Sequence, residues 1–148
     1  MSLVREEKIL IDGPVGQIEV LMDNPGAPRG IALVAHPHPI GGGAATNKVA
    51  HTLARTFAAL GYAAFRPNFR SVGGTQGEHD EGIGETDDLL CVLEYARERC
   101  GHLPVVLAGF SFGALPDLVK AANSFFQSSA IALLCDVFFL TAIVVSPL

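Results

Sequence analysis

The sequence predicts an α/β fold with a mostly parallel sheet flanked by helices. Three observations predict it. The runs 30–35, 62–66 and 104–110 are almost continuously apolar, as expected of strands buried on both faces. Stretches with helical periodicity lie between them. Strands that alternate with helices imply right-handed crossovers and parallel neighbours.

The elements follow in order. Two weaker strand runs, 8–11 and 17–22, come first, and Asp12-Gly13-Pro14 between them is a hairpin signal. After the strand at 30–35, residues 47–60 place Val49, Leu53, Phe57 and Leu60 on one helical stripe, and Gly61 supplies a C-terminal stop. After the strand at 62–66, residues 71–84 hold five glycines and several acidic residues. This reads as a long loop, and loops at the carboxyl ends of parallel strands are where such folds place their chemistry. A second helix covers 85–100, with Leu89, Leu93, Ala96 and Cys100 on one face. Glu85, Asp87 and Asp88 near its start and Arg97 and Arg99 near its end complement the helix dipole, and Gly101 follows. The strand at 104–110 is the clearest of all. No internal repeat or low-complexity segment interrupts the chain.

Composition narrows the classes of function. The 148 residues are 49% hydrophobic and 17% charged, enough for one domain with a real core. The net charge of -5 and the scattered Lys and Arg argue against nucleic acid as a partner, since phosphate binding needs a basic face. The three cysteines, Cys91, Cys100 and Cys135, form no C-x-x-C pair and read as core residues in a reducing compartment. The charged N-terminus lacks an apolar signal region, so the cytoplasm is the expected location.

The chemistry concentrates in two segments. Gly109-Phe110-Ser111-Phe112-Gly113 is a G-x-S-x-G pattern directly after the strand at 104–110. A serine at the tip of a tight strand-to-helix turn needs glycine two places before and after it, because side chains there would collide. The turn lifts the Ser111 hydroxyl out of the sheet edge and aims the Phe112 N–H at a developing oxyanion. The bland reading is an ordinary glycine-rich turn. The second segment, His36-Pro37-His38-Pro39-Ile40-Gly41-Gly42-Gly43, follows the strand at 30–35. Pro37 and Pro39 have no N–H to give, so His38, or else Ile40, is the candidate second oxyanion donor. His36, Gly41, Gly42 and, from the later loop, His79 complete the candidate site. The bland alternatives are a structural turn for the first three and a solvated loop residue for His79.

These segments carry a resemblance. His36-Pro37-His38-Pro39 with Gly41-Gly42, Asn47-Lys48, Arg66-Pro67-Asn68-Phe69-Arg70, Gly73, Gly77, His79-Asp80-Glu81-Gly82, Glu85, Asp87-Asp88 and 109–114 together resemble the small bacterial α/β-hydrolases of the dienelactone-hydrolase-like superfamily. The resemblance covers residues 5–114. It implies an α/β-hydrolase-like fold whose C-terminal strands are missing here, and a Ser–Asp–His triad acting on esters or related acyl compounds. Ser71 departs from the family pattern, which has glycine in that place. After Ala114 the resemblance stops. Residues 115–148 offer Asp117 and Asp136 and no histidine, and all five histidines, His36, His38, His51, His79 and His102, precede Ser111. Residues 130–145 are very apolar and near the length of a membrane span, although Asp136 would be expensive in a bilayer. A membrane tail, a helix plus strand packed on the sheet, and a truncated or out-of-frame ending all remain open for 115–148.

The functional expectation is a serine hydrolase of one partial domain, residues 1–148, with Ser111 as nucleophile, a small acyl compound as substrate, and no metal or other cofactor. The triad Asp and His are not visible, so the chain is expected to be weak or inactive. Upstream His36 or His38 is a substitute base to consider, and His79 with Asp80 is another pair whose loop could reach the site. The alternative is a non-catalytic hydrolase-like binding module, with self-association through an open sheet edge. A nucleotide site fits less well. Residues 42–48 superficially resemble a P-loop, but Asn47 stands in place of the glycine and Val49 in place of the Ser/Thr.

Overall fold

The computed structural model describes residues 4–37, 39, 42–110, 120, 133–137 and 140–145. In chain order the elements are β1 (Arg5–Gly13), β2 (Gly16–Asn24), β3 (Gly30–Ala35), α1 (Lys48–Ala59), β4 (Tyr62–Pro67), α2 (Ile83–Cys100), β5 (Val105–Phe110), β6 (Leu133–Val137) and β7 (Leu140–Val145). They build one seven-stranded sheet in the order β1-β2-β4-β3-β5-β7-β6. Strands β3, β4 and β5 run parallel, and β2 runs antiparallel to β4. The expected hairpin is present, with Gly13 paired to Gly16, so Pro14 and Val15 form its turn.

The buried strands show why their sequences lack polar alternation. In β3, Ile31, Leu33 and Ala35 join a core with Leu89, Val92, Leu93 and Ala96 of α2, while Ala32 and Val34 join Ala50 and Ala54 of α1. Alternate residues therefore face opposite helices, and both faces need apolar side chains. In β4, Ala63 and Phe65 face α2 and Ala64 faces α1.

Helix α1 corrects one expectation. The predicted stripe of Val49, Leu53, Phe57 and Leu60 is not the buried one: Ala50, Ala54 and Ala58 are buried, Leu53 and Phe57 flank them, and Leu60 is 53% exposed. Alanines let the helix lie close against the small side chains of that sheet face, so the apolar stripe is rotated by one residue. Asn47 caps this helix, its side-chain oxygen accepting from Val49 N–H at 2.9 Å and from Ala50 N–H at 3.3 Å. The residue that spoils the P-loop pattern thus has a structural role.

Helix α2 begins at Ile83, two residues before the sequence signal. Asp80 Oδ2 accepts from Gly84 N–H at 3.0 Å, and Glu85 Oε2 accepts from Gly82 N–H at 2.9 Å. Side chains therefore satisfy first-turn donors that would otherwise lack partners. Cys91 and Cys100 of α2 are free thiols, partly buried and packed against the core, and burial pushes both up. In the apolar tail, β6 and β7 form an antiparallel hairpin, and β7 runs antiparallel to β5 from Val105↔Val145 to Phe110↔Leu140. Among the described residues, no helix is long and apolar enough to cross a membrane.

Candidate active site

The strand order decides which loops meet. From β3 the chain passes through α1 to β4 on one side, then through α2 to β5 on the other side of β3. The carboxyl ends of β3 and β5 are therefore neighbours, with Val34 level with Ala108 and Ala35 level with Gly109. Parallel neighbours lie about 4.8 Å apart. Gly109, which begins the G-x-S-x-G pattern, thus lies beside Ala35, which the segment at His36 follows, at the point where successive connections diverge. Ligands of open α/β sheets bind at such points. Ser111, Phe112, His38 and Gly41 lie outside the described residues, whereas His36, Gly42 and His79 lie within them.

His36 is fully buried. Its Nε2 accepts from the Phe69 N–H at 3.0 Å, and its Nδ1 lies 2.6 Å from the Pro37 carbonyl oxygen. Because Nε2 accepts, the proton of the neutral ring sits on Nδ1 and is donated to Pro37. The Phe69 ring packs edge-on against the imidazole at 4.6 Å between centroids. His36 thus ties the loop after β3 to the loop after β4, and both nitrogens are committed to backbone. Gly42 is exposed with φ 81, and its N–H donates to the Pro39 carbonyl at 2.9 Å. It turns the loop in open space.

The far end of this loop is held as firmly. Ala45 is buried; its N–H donates to Asn68 Oδ1 at 2.8 Å, and its carbonyl accepts from Arg66 Nη1 at 2.9 Å. Arg66, 1% exposed, also reaches Glu6 at 2.6 Å and Asp23 at 3.4 Å. Arg55 Nε approaches the other oxygen of Asp23 at 3.6 Å, an ion pair too long for a hydrogen bond. A buried guanidinium among carboxylates and a carbonyl is the paired arrangement that burial of charge demands.

The loop after β4 runs outward. Gln76 N–H donates to the Gln17 carbonyl, and Gln17 N–H donates to Gln76 Oε1, both at 2.9 Å. This ties the loop to the start of β2, on the opposite side of β4 from β3 and β5. Arg70 forms a fork on Asp88, with Nε–Oδ2 at 3.0 Å and Nη2–Oδ1 at 3.1 Å. The fork holds the Arg70 proton more tightly. Burial nevertheless pushes the Asp88 carboxyl up against the pull of Arg70. The bidentate geometry, which needs two acceptor oxygens, favours the ionised pair. Gly84 admits this fork, since a Cβ there would overlap the guanidinium.

His79 Nδ1 lies 2.9 Å from Glu85 Oε1. Burial works against the charge of Glu85, but the backbone N–H groups of Asp80, Glu85 and Gly82, together with His79, hold its carboxyl below the ordinary value. His79 therefore belongs to the capping of α2. The sequence reading named Asp80 as the partner of His79; the structure sets its Nδ1 beside Glu85. The roles of Arg66 and Asn68 had no counterpart in the sequence reading. The available signal was polar residues closing an apolar strand, where burial requires a partner. A groove of about 370 Å³ between β1 and α2, lined by Leu10, Asp12, Tyr95 and Glu98 among others, sits at the far edge of the sheet from β5.

No protein-family model matches the chain. It is 40% identical over 111 residues to the uncharacterized protein RP471 of Rickettsia prowazekii (strain Madrid E), which covers 72% of this chain and 46% of that protein. A crystal structure from Xanthomonas campestris, XC6422, described as an α/β serine hydrolase without a lid, superposes with TM-score 0.75 at 39% identity, covering 82% of this chain and 57% of that one. An α/β serine hydrolase homologue from Coxiella burnetii gives 0.72 at 38% identity, covering 87% and 61%. The chain thus spans less than two thirds of the length of each. Its mixed sheet flanked by helices agrees with these likenesses, and the chain belongs to the α/β-hydrolase superfamily.

Proposed function

We propose that this chain carries the nucleophile of a serine hydrolase acting on an ester or related acyl substrate. The observation that carries the reading is the pairing of Ala35 with Gly109 at the carboxyl ends of β3 and β5. It sets the start of the Gly109-to-Gly113 pattern beside the loop that begins at His36. In this reading the Ser111 hydroxyl gives its proton to a base, for which this chain offers the upstream His38, while its oxygen attacks the acyl carbon. The Phe112 N–H and a donor near His38 hold the oxyanion. The bond to the alkoxide breaks, the leaving group takes the proton, and water repeats the sequence to release the acid.

One observation favours a second reading, a non-catalytic module of hydrolase fold. The two described histidines of the candidate site are engaged elsewhere, His36 with backbone groups and His79 with Glu85. Hydrolysis of a p-nitrophenyl acyl ester separates the readings. Steady turnover that falls at least about 100-fold in Ser111→Ala supports the hydrolase. Turnover equal in both proteins leaves the binding module.

A further inference from the structure

Resting on the hydrolase reading, we propose that Asn68 is a positioning residue that fixes the Ala45 end of the loop after β3, the loop to which that reading assigns an oxyanion donor near His38. Asn68 follows β4 directly and is 5% exposed. Every polar group it has toward the protein is used. Its N–H donates to the Glu19 carbonyl at 2.9 Å, and its carbonyl accepts from Thr75 Oγ1 at 2.9 Å. Its side chain spans two elements: Oδ1 accepts from Ala45 N–H at 2.8 Å, and Nδ2 donates to Glu19 Oε1 at 2.9 Å. A backbone N–H only donates and an ionised carboxylate only accepts, so one orientation of the amide satisfies both.

The surroundings hold that amide still. Thr75 Oγ1 also accepts from Glu19 N–H at 3.0 Å, which closes a ring of bonds through Asn68, Thr75 and Glu19. Gly73, at φ 54, lies so close that a Cβ there would meet both Asn68 Nδ2 and Glu19 Oε1. With Arg66 on the Ala45 carbonyl and Phe69 on His36, the loop is gripped at both ends by residues at the end of β4. The span between the grips holds the candidate donor His38. A displacement of about 1 Å at such a donor costs on the order of 100-fold in rate, which a fixed anchor prevents.

The test uses the full chain with Asn68→Asp, Glu19→Gln and the double variant. Asn68→Asp keeps an acceptor for Ala45 N–H but sets a carboxylate against that of Glu19. Adding Glu19→Gln restores a donor–acceptor pair with its direction reversed, and Glu19→Gln alone keeps the original acceptor. Two quantities are read: hydrogen exchange at the Ala45 amide, and the rate of Ser111 modification by a fluorophosphonate as a function of probe concentration. Asn68→Asp should speed Ala45 exchange and lower the limiting modification rate roughly 10- to 100-fold. The half-saturating concentration should stay within about two-fold. The double variant should recover both quantities, and Glu19→Gln should change neither. Unaltered Ala45 exchange overturns the proposal, as does faster exchange with a wild-type modification rate. If Asn68→Asp fails to fold, a double variant that folds yet modifies slowly overturns it equally. A wild-type chain that takes no probe refutes the hydrolase reading itself, and is recognised before any variant is made.

Discussion

Ser71 adopts φ 66 in a turn closed by the Val72 N–H on the Phe69 carbonyl at 3.0 Å. Left-handed backbone costs an L residue about 1–2 kcal/mol and glycine almost nothing. The family pattern has glycine at this place, and the geometry supplies the reason. Ser71→Gly should therefore stabilise the chain by roughly 0.5–1 kcal/mol, after subtracting the greater freedom of unfolded glycine. Urea unfolding checks this through a higher midpoint at unchanged slope. Glu85 sets a second expectation. Its folded carboxyl is held below the ordinary value, so the unfolded chain binds its proton more readily. The stability it contributes is present above the unfolded value and lost as pH falls below about 5. Glu85→Gln should cost about 1–2 kcal/mol at neutral pH and flatten that acid limb. Equal acid sensitivity in both proteins would contradict the assignment.

At the scale of elements, the parallel strands were legible because burial on both faces removes polar residues from them, as in 30–35. The stripe of α1 was not. Sequence periodicity gives weight to Val49 and Leu60, whereas close packing on Ala32, Val34, Ala64 and Ala108 selects Ala50 and Ala54. The expectation is that Ala54→Leu lowers stability by about 1–3 kcal/mol through overpacking, read from thermal or urea unfolding. Tolerance without loss would mean that the helix does not sit close to the sheet. The loop after β4 was legible as a loop, but its purpose was not. Asn68 and Arg70 read only as residues of the resemblance and Glu85 as an acid at the start of the second helix, and the structure uses them to hold neighbouring segments. A buried polar residue names the need for a partner, while the partner's identity depends on the fold.

At the scale of the molecule, the order β4-β3-β5 turns two distant sequence segments into neighbours. The G-x-S-x-G pattern and the His-Pro-His-Pro segment could be found in the sequence separately, and the register of Ala35 with Gly109 sets side by side the two strand ends from which they start. Strands β7 and β6 extend the sheet beyond β5 in antiparallel direction, and neither contributes to that adjacency. The most direct test of the account is the intact mass of the folded chain after exposure to a fluorophosphonate, beside Ser111→Ala. The account predicts a single adduct on Ser111 that is absent from the variant. A folded chain that takes no adduct, or a variant labelled as readily, would contradict it.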